Sequence, residues 1–344
     1  MILAGDVGGT RARFALLDPK GKRVAHQAVL GSRGFRTFET ALDAFLEGAR
    51  AEKKLKGAIV AASFGIAGPV VEQRVKATNL PWTIDARAIA REFDIVKVTL
   101  LNDLVAVGLG ALACPPKKLA VIKGGAPQKK GGNLAVIAAG TGLGEAAFVW
   151  DGRGHVACPT EGAHVDFAPR DDLQLDLWRA LARTHGHVSY EHVAAGSSIG
   201  VLYDFLVKSK RVKETATNAA RISRAADRNV AIVDLALQGA SEAAMRAIEL
   251  WSALYGAEAG NLALKTLATA GVFVCGGASA RLASVLARGV GRGRRPKLSP
   301  FLEAFVDKGR MRGLLEKVPV AVVLEPLAGL LGAAGHAARQ AGLA

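Results

Sequence analysis

The chain opens on a run of apolar residues broken by a glycine turn. "MILAGDV" predicts a buried strand, "GGT" a turn, and "ARFALLD", with Phe14, Leu16 and Leu17, a second strand. "KRVAHQAV" offers a third. In "FRTFETALDAFLEGAR" the period changes, and Phe38, Leu42, Phe45 and Leu46 recur at helical spacing. "GAIVAASFG" returns to a buried strand. "SFGIAGPVVEQRVKATNLPW" is punctuated by Gly and Pro and predicts an extended loop or hairpin, followed by a helix near residues 84 to 93. Val98-Thr99-Leu100-Leu101 then predicts a strand that runs into Asn102-Asp103 and an apolar helical pattern.

After Pro115-Pro116 the pattern starts again. "KLAVIKG" and "NLAVIAAGTGLGEAAFVW" predict strand, Gly-rich turn and strand, so the chain reads as two distantly repeated halves, each opening on a β-hairpin. Helices dominate from about 171 to 265, including the long amphipathic "VDLALQGASEAAMRAIELWSALYGAEAGNLALKT". "GVFVCGGAS" predicts a strand with a Gly-Gly exit, "VPVAVVLE" another strand, and "LAGLLGAAGHAARQAG" a closing helix. The fold class is α/β.

Composition narrows the picture. With 344 residues, half of them hydrophobic and 40 of them Gly, the chain has room for two domains with many tight turns. No apolar run reaches the roughly 18 to 20 residues that span a bilayer, and "MILAGDVGGT" lacks the basic start and cleavage site of a signal peptide. Cys114, Cys158 and Cys275 are widely spaced, without a C-x-x-C pair, which argues against a disulfide framework or cysteine zinc site and for a reducing cytoplasm. The formal net charge is +15, with basic residues gathered in "AEKKLK", "PQKK", "KSKRVK" and "GRGRRPK". These clusters are dispersed and carry no interleaved aromatics, so they predict a basic surface that attracts small phosphorylated ligands rather than nucleic acid or a membrane.

Four constellations carry candidate chemistry. Gly8-Gly9-Thr10 and Gly140-Thr141-Gly142 are turns where no Cβ bars a phosphate from the backbone N–H groups. Neither a Walker motif nor a G-x-G-x-x-G ahead of a helix is present. Asn102-Asp103 reads either as a helix cap or as a catalytic carboxylate at the carboxyl edge of a sheet. "PTEGAHVDFAP" brings Glu161, His164 and Asp166 into one short segment, a weak metal site but a good set of partners for a polyhydroxylated ligand. In "HGHVSYEHV", Glu191 is flanked by His187 and His192, which read as ordinary surface or helix-end residues.

Taken in order, "GDVGGT", "ARFALLD", "ATNLPW", "LLNDLVAV", "AAGTGLGEA", "EGAHVDFAP", "GHVSYEHV", "AGNLAL", "GVFVCGG", "FVDKGRMRGLLEKVPVAVV" and "LAGLLGAAGHA" resemble the bacterial glucokinase family over essentially the whole chain. That family belongs to the sugar kinase, Hsp70 and actin superfamily. The resemblance implies two ribonuclease-H-like domains, residues 1–112 with 326–344 and residues 113–325, with glucose and ATP meeting in the cleft between them. It implies Asp103 as catalytic base, and Asn79, Asn102, Asp103, Glu161, His164 and Glu191 as sugar contacts. Gly5, Asp6, Val7, Gly8, Gly9, Thr10, Gly140, Thr141 and Gly142 match the phosphate hairpins, and Gly276 and Gly277 the turn near the nucleoside. Mg²⁺ would bridge the ATP phosphates, with Asp6 reaching it through water, and the protein would be a homodimer. Three departures stand out. Arg11 replaces the usual Asn after the first Thr, "AGSSI" stands where the family has "SGPGL", and the cysteine-rich zinc motif of the related ROK kinases is missing after His164. Arg11 and the basic balance leave inorganic polyphosphate as a rival donor. A sugar-sensing, ATP-binding protein without turnover is a second rival, and a polyanion-binding protein a third.

Overall fold

The hairpin at the start of the chain forms as expected, with β1 (Ile2–Val7) and β2 (Arg11–Leu17) antiparallel from Ile2↔Leu17 to Val7↔Ala12. β3 (Val24–Gly31) pairs with β2, and β4 (Ala61–Ile66) lies parallel to β1 on its other side. The Gly- and Pro-punctuated stretch holds a small two-stranded ribbon of β5 (Arg74–Lys76) and β6 (Thr83–Asp85). β7 (Lys97–Asn102) completes the first sheet, in the order β3-β2-β1-β4-β7. The computed structural model describes residues 1–78, 80–125, 131–290 and 298–343, so Asn79 and the "PQKK" and "GRGRRPK" clusters lie outside the described residues.

The second sheet repeats the first. β8 (Leu119–Lys123), β9 (Leu134–Ala139), β10 (Leu143–Trp150), β11 (His155–Thr160), β12 (Gly271–Cys275) and β13 (Val320–Val323) lie in the order β11-β10-β9-β12-β13-β8. β9 and β10 form the antiparallel hairpin, and β12 and β13 follow in parallel, as β4 and β7 do beside β1. The chain divides into two compact units, residues 1–119 with 157–159 and 325–344, and residues 120–156 with 160–324. β11 was not expected from the sequence, because "HVACPT" leaves several of its residues exposed and shows no apolar face.

Strand alternation divides each side of the first sheet. Leu3 and Val7 point to a core of Phe14, Phe38, Phe45, Phe64 and Trp82, built against the helix Phe38–Ala51. Ile2 and Ala4 point the other way, onto Leu330, Ala333, Ala334, Ala337 and Ala338 of the closing helix Ala328–Gln340. That second layer is made of small residues because two helices come in close. Helix Asp103–Leu112 crosses the closing helix where a Cβ on Gly110 would overlap the Ala328 carbonyl, and one on Gly332 the Ala106 carbonyl. The second unit uses the same device. Gly256 and Gly260 let helix Glu242–Lys265 press against the backbone of Phe301 and Phe305 in helix Pro300–Val306.

The long segment expected as one amphipathic helix is two. Helix Arg228–Gln238 ends at Gly239, which takes a left-handed conformation (φ 69°), and Ser241 caps the next helix by accepting from the Ala244 N–H. Helix Glu242–Lys265 is not amphipathic, since buried residues surround it on nearly every face, Trp251 and Tyr255 among them. Among the described residues no helix is long and apolar enough to cross a membrane.

The close helix crossing generates a paired stability test. Gly110→Ala has no room at the Ala328 carbonyl and should cost ~3 kcal/mol or more, by forcing the two backbones apart. Gly48→Ala lies exposed within the helix Phe38–Ala51, with open space around its missing Cβ, and should stabilise by ~0.5 to 1 kcal/mol. Thermal melting of the two variants should therefore shift in opposite directions. Equal shifts would remove the crossing from its structural role.

Candidate active site

Parallel register sets the carboxyl ends of the central strands side by side. Val7 of β1 pairs with Ile66 of β4, and Ile66 with Asn102 of β7, so the Gly8 turn and Asp103 leave the same edge of the sheet. Open α/β sheets bind ligands at that edge. Asn102 is buried, with 8% of its surface exposed, and caps the helix Asp103–Leu112. Its Oδ1 accepts from the N–H of Leu104 (3.0 Å) and Val105 (3.3 Å), and its Nδ2 donates to the Gly68 carbonyl (3.3 Å). Asp103, half-buried in the first turn, shares the Leu104 N–H at 2.9 Å. The pair thus divides its work: Asn102 supplies the cap, and Asp103 stands one residue further, at the sheet edge.

The first turn spans Gly8 to Arg11 between the paired residues Val7 and Ala12, and the Gly8 N–H donates to the Arg11 carbonyl (3.0 Å). Ser32, fully buried, ties the turn down. Its Oγ donates to the Gly8 carbonyl (2.8 Å) and its N–H to the Thr10 carbonyl (3.1 Å). Thr10 and Arg11 are exposed. Gly5 lies beneath, where a Cβ would strike the Phe64 ring at 2.6 Å. Asp6 faces the opposite side of β1, against Gly329 of the closing helix, 3.6 Å from Arg13 on the paired strand. Burial raises the Asp6 carboxyl above the usual range, and the Arg13 guanidinium opposes that shift.

In the second unit, Gly140 to Gly142 turn between Ala139 and Leu143, closed by the Gly140 N–H on the Gly142 carbonyl (2.8 Å). Glu191, which opens the short helix Glu191–Ala194, reaches this turn. Its Oε2 accepts from the Leu143 N–H at 3.0 Å and occupies the space a Gly142 side chain would need. Ser197 donates to the Thr141 carbonyl (2.6 Å) and Ser198 to the Glu191 carbonyl (2.9 Å). The two serines of "AGSSI" therefore hold the turn and Glu191 in one piece. Gly276, at φ 94°, leaves β12 against the Ala139 backbone, with Gly277 in open space.

Glu161 and His164 join Glu191 through the 3₁₀ turn Gly162–His164. His164 Nε2 lies 3.9 Å from Glu161 Oε2, and its Nδ1 4.0 Å from Glu191 Oε1. Glu161 and His164 are exposed, and such ion pairs add little stability. A cluster the fold does not need is available to a polar ligand. His187 instead bonds the His164 carbonyl (3.0 Å) and pairs with Asp166 (3.3 Å), while His192 Nδ1 accepts from the Ser189 N–H (3.1 Å). Both histidines thus bond the backbone of this segment. Sequence reasoning missed Ser32 and Arg13, and took the serines of "AGSSI" only as a departure from the family pattern. Among the described residues no group of three or more His, Cys, Asp and Glu could hold a metal ion.

The protein-family profile "Glucokinase" matches residues 3–340. A glucokinase of Trichormus variabilis is 34% identical over 354 residues, covering 98% of this chain and 99% of that protein. The crystal structure of a glucokinase from an Antarctic psychrotroph superposes with a TM-score of 0.77 at 29% identity, covering 98% of both chains. A ROK-family glucokinase of Streptomyces griseus, solved with glucose and AMPPNP, shares the fold with a TM-score of 0.63 at 20% identity, covering 98% of this chain and 99% of that one. The fold is α/β, with two ribonuclease-H-like domains of the actin-like type.

The cap makes a direct prediction. Asn102→Ala leaves the Leu104 and Val105 N–H groups without the Asn102 oxygen and should cost ~0.5 to 2 kcal/mol, with Asn102→Ser recovering most of it. Denaturant titration checks this. No loss in the Ala variant would show that Asp103 caps the helix alone.

Proposed function

The chain belongs to the glucokinase family, and from that premise we propose that it transfers the γ-phosphoryl group of ATP to the 6-hydroxyl of glucose with Asp103 as general base. The observation that supports this reading is the division of labour at the sheet edge, where Asn102 caps the helix and the Asp103 carboxylate stands beside it. Phosphoryl transfer asks the protein for alignment, charge neutralisation and an acceptor for the hydroxyl proton. Asp103 takes that proton as the oxygen attacks. Asn79, Asn102, Glu161, His164 and Glu191 hold the sugar hydroxyls, with carboxylates accepting and the Asn amide donating.

The turns at Gly5 to Thr10 and Gly140 to Gly142 bind the phosphates through backbone N–H groups, and Gly276 and Gly277 adjoin the nucleoside. Asp6 is a fit partner for Mg²⁺ only through water, because Arg13 already faces its carboxylate. A lone carboxylate plus substrate phosphates suits Mg²⁺, which keeps several of its waters. When bound, the ion neutralises charge on the phosphates. In this reading the domains are residues 1–112 with 326–344 and residues 113–325, and the protein is a cytoplasmic homodimer of glycolysis outside the ROK group. Its partners are glucose and ATP, with neither nucleic acid nor membrane among them.

One assay tests donor and acceptor together. Glucose 6-phosphate formation should be robust with Mg-ATP and weak or nil with polyphosphate, and modestly sensitive to salt. Glucose should be preferred over mannose and galactose by as much as ~10⁴ in kcat/KM, because a misplaced hydroxyl leaves a carboxylate or amide unpaired. Turnover with polyphosphate that equals ATP and falls ~10³ or more between 50 and 200 mM salt would instead make the exposed Arg11 and the +15 charge part of a polyanion site.

A further inference from the structure

A buried acid lies beneath the sugar-binding turn, and no step above uses it. Glu145 on β10 is 2% exposed, and among the described residues neither carboxyl oxygen finds a hydrogen-bond partner as an ionised group. Its Oε2 fills the space where a Gly162 side chain would be, and Thr160 Oγ1 lies 3.0 Å from the same point. Gly162 opens the turn that carries Glu161 before it and His164 after it. Glu145 is therefore the floor of that turn.

The groups around it come from a single network. Helix Glu242–Lys265 presents Glu258, itself fully buried, and Lys265, which bonds Glu258 Oε1 at 3.1 Å; Tyr255 lies on the same helix. Asn261 donates to Glu258 Oε2 (2.8 Å) and to the Tyr190 hydroxyl (3.0 Å), one residue before Glu191. Lys308 closes the far side by donating to Asn261 Oδ1 (2.6 Å) and the Ala257 carbonyl (2.9 Å). The paired β9 residue opposite Glu145 is Ile137, and the turn itself offers Gly162. One network thus touches the supports of Glu161, His164 and Glu191.

We propose that Glu145 is a positioning residue for the sugar site: it stays protonated, donates to Glu258, and supports the Glu161–His164 turn only in that neutral form. Burial and the neighbouring Glu258 carboxylate push the Glu145 carboxyl up to about 8, with Lys265 opposing. A second negative charge forced into this pocket lacks any donor and displaces the turn. Sugar affinity therefore weakens on the alkaline side while the Asp103 chemistry does not. The inference rests on the reading of Glu161 and His164 as sugar contacts.

Glucose KM should be flat below about pH 7.5 and rise by about tenfold per unit well above the Glu145 transition, with kcat changing little. Glu145→Gln keeps a neutral side chain of the same shape, so its KM should stay low and the alkaline rise should vanish. Glu145→Ala should raise KM about tenfold at every pH. Lys308, pulled down to about 8 by burial, titrates in the same window but is unchanged in all three proteins, so a rise that survives in Glu145→Gln assigns the effect elsewhere and overturns the inference. Calorimetry of the unaltered protein gives an independent check. Glucose binding at about pH 8.5 should take up protons in the unaltered protein and fewer in Glu145→Gln. The absence of uptake at the higher pH contradicts the proposal. Glu161→Gln separates the two readings: an unchanged glucose KM there refutes the sugar contact, whatever Glu145 does.

Discussion

Two helices that meet without side chains between them set the geometry on which the first unit's site depends. Gly110 and Gly332 bring helix Asp103–Leu112 and the closing helix to backbone contact, and Gly65 admits the first of them over β4, where a Cβ would strike Ala106 at 2.7 Å. Close packing of this kind tolerates no extra methyl group and has no slack in rotation. The N-terminus of helix Asp103–Leu112 is thereby fixed at the carboxyl edge of β7, in register with the Gly8 turn. The same closing helix supports Asp6 at Gly329. The Asp103 carboxylate, the first glycine turn and the Asp6 carboxyl thus hang on one crossing of small residues.

The second unit reaches its precision differently. Its charged groups are held by short polar links: Glu191 to the Leu143 N–H, Ser197 to Thr141, Ser198 back to Glu191. Hydrogen bonds to a carboxylate are stronger and shorter than neutral ones, so Glu191 orders the turn even before a ligand arrives. Glu161 and His164 sit on a turn held at the His164 carbonyl by His187, at the Gly162 N–H by Thr160, and underlain by Glu145. Within "KSKRVK", Arg211 pairs with Asp176, and the lysines of "AEKKLK" are exposed.

Much of this was legible in the sequence. Alternation and glycine turns revealed both hairpins, and the repeat of Gly-Gly-Thr in Gly-Thr-Gly anticipated two halves that each open on one. The residue types at 102 and 103 could not say which would cap and which would face outward; that is decided by the extended backbone of Asn102 (φ −61°, ψ 145°). Helix Glu242–Lys265 was misread because apolar residues on one face look alike whether the other face meets water or protein. The break at Gly239 was available as a glycine followed by Ser241, a stop and a cap, but the apolar spacing on both sides hid it. Glu145 gave no signal at all. A single acid in "GLGEAAF" reads as a strand end facing solvent until the sheet and helix close over it.

The claim at the centre of this account is that Asp103 does chemistry while Asn102 does the capping. Rapid-quench measurement of a single turnover in Asp103→Asn, alongside equilibrium glucose binding, addresses it directly. Glucose 6-phosphate should form ~10² to 10⁴ more slowly while glucose affinity changes far less, since shape and cap are kept and only the proton acceptor is lost. A variant that turns over at nearly the parental rate would return Asp103 to the helix end as a second cap and leave the reaction without its base.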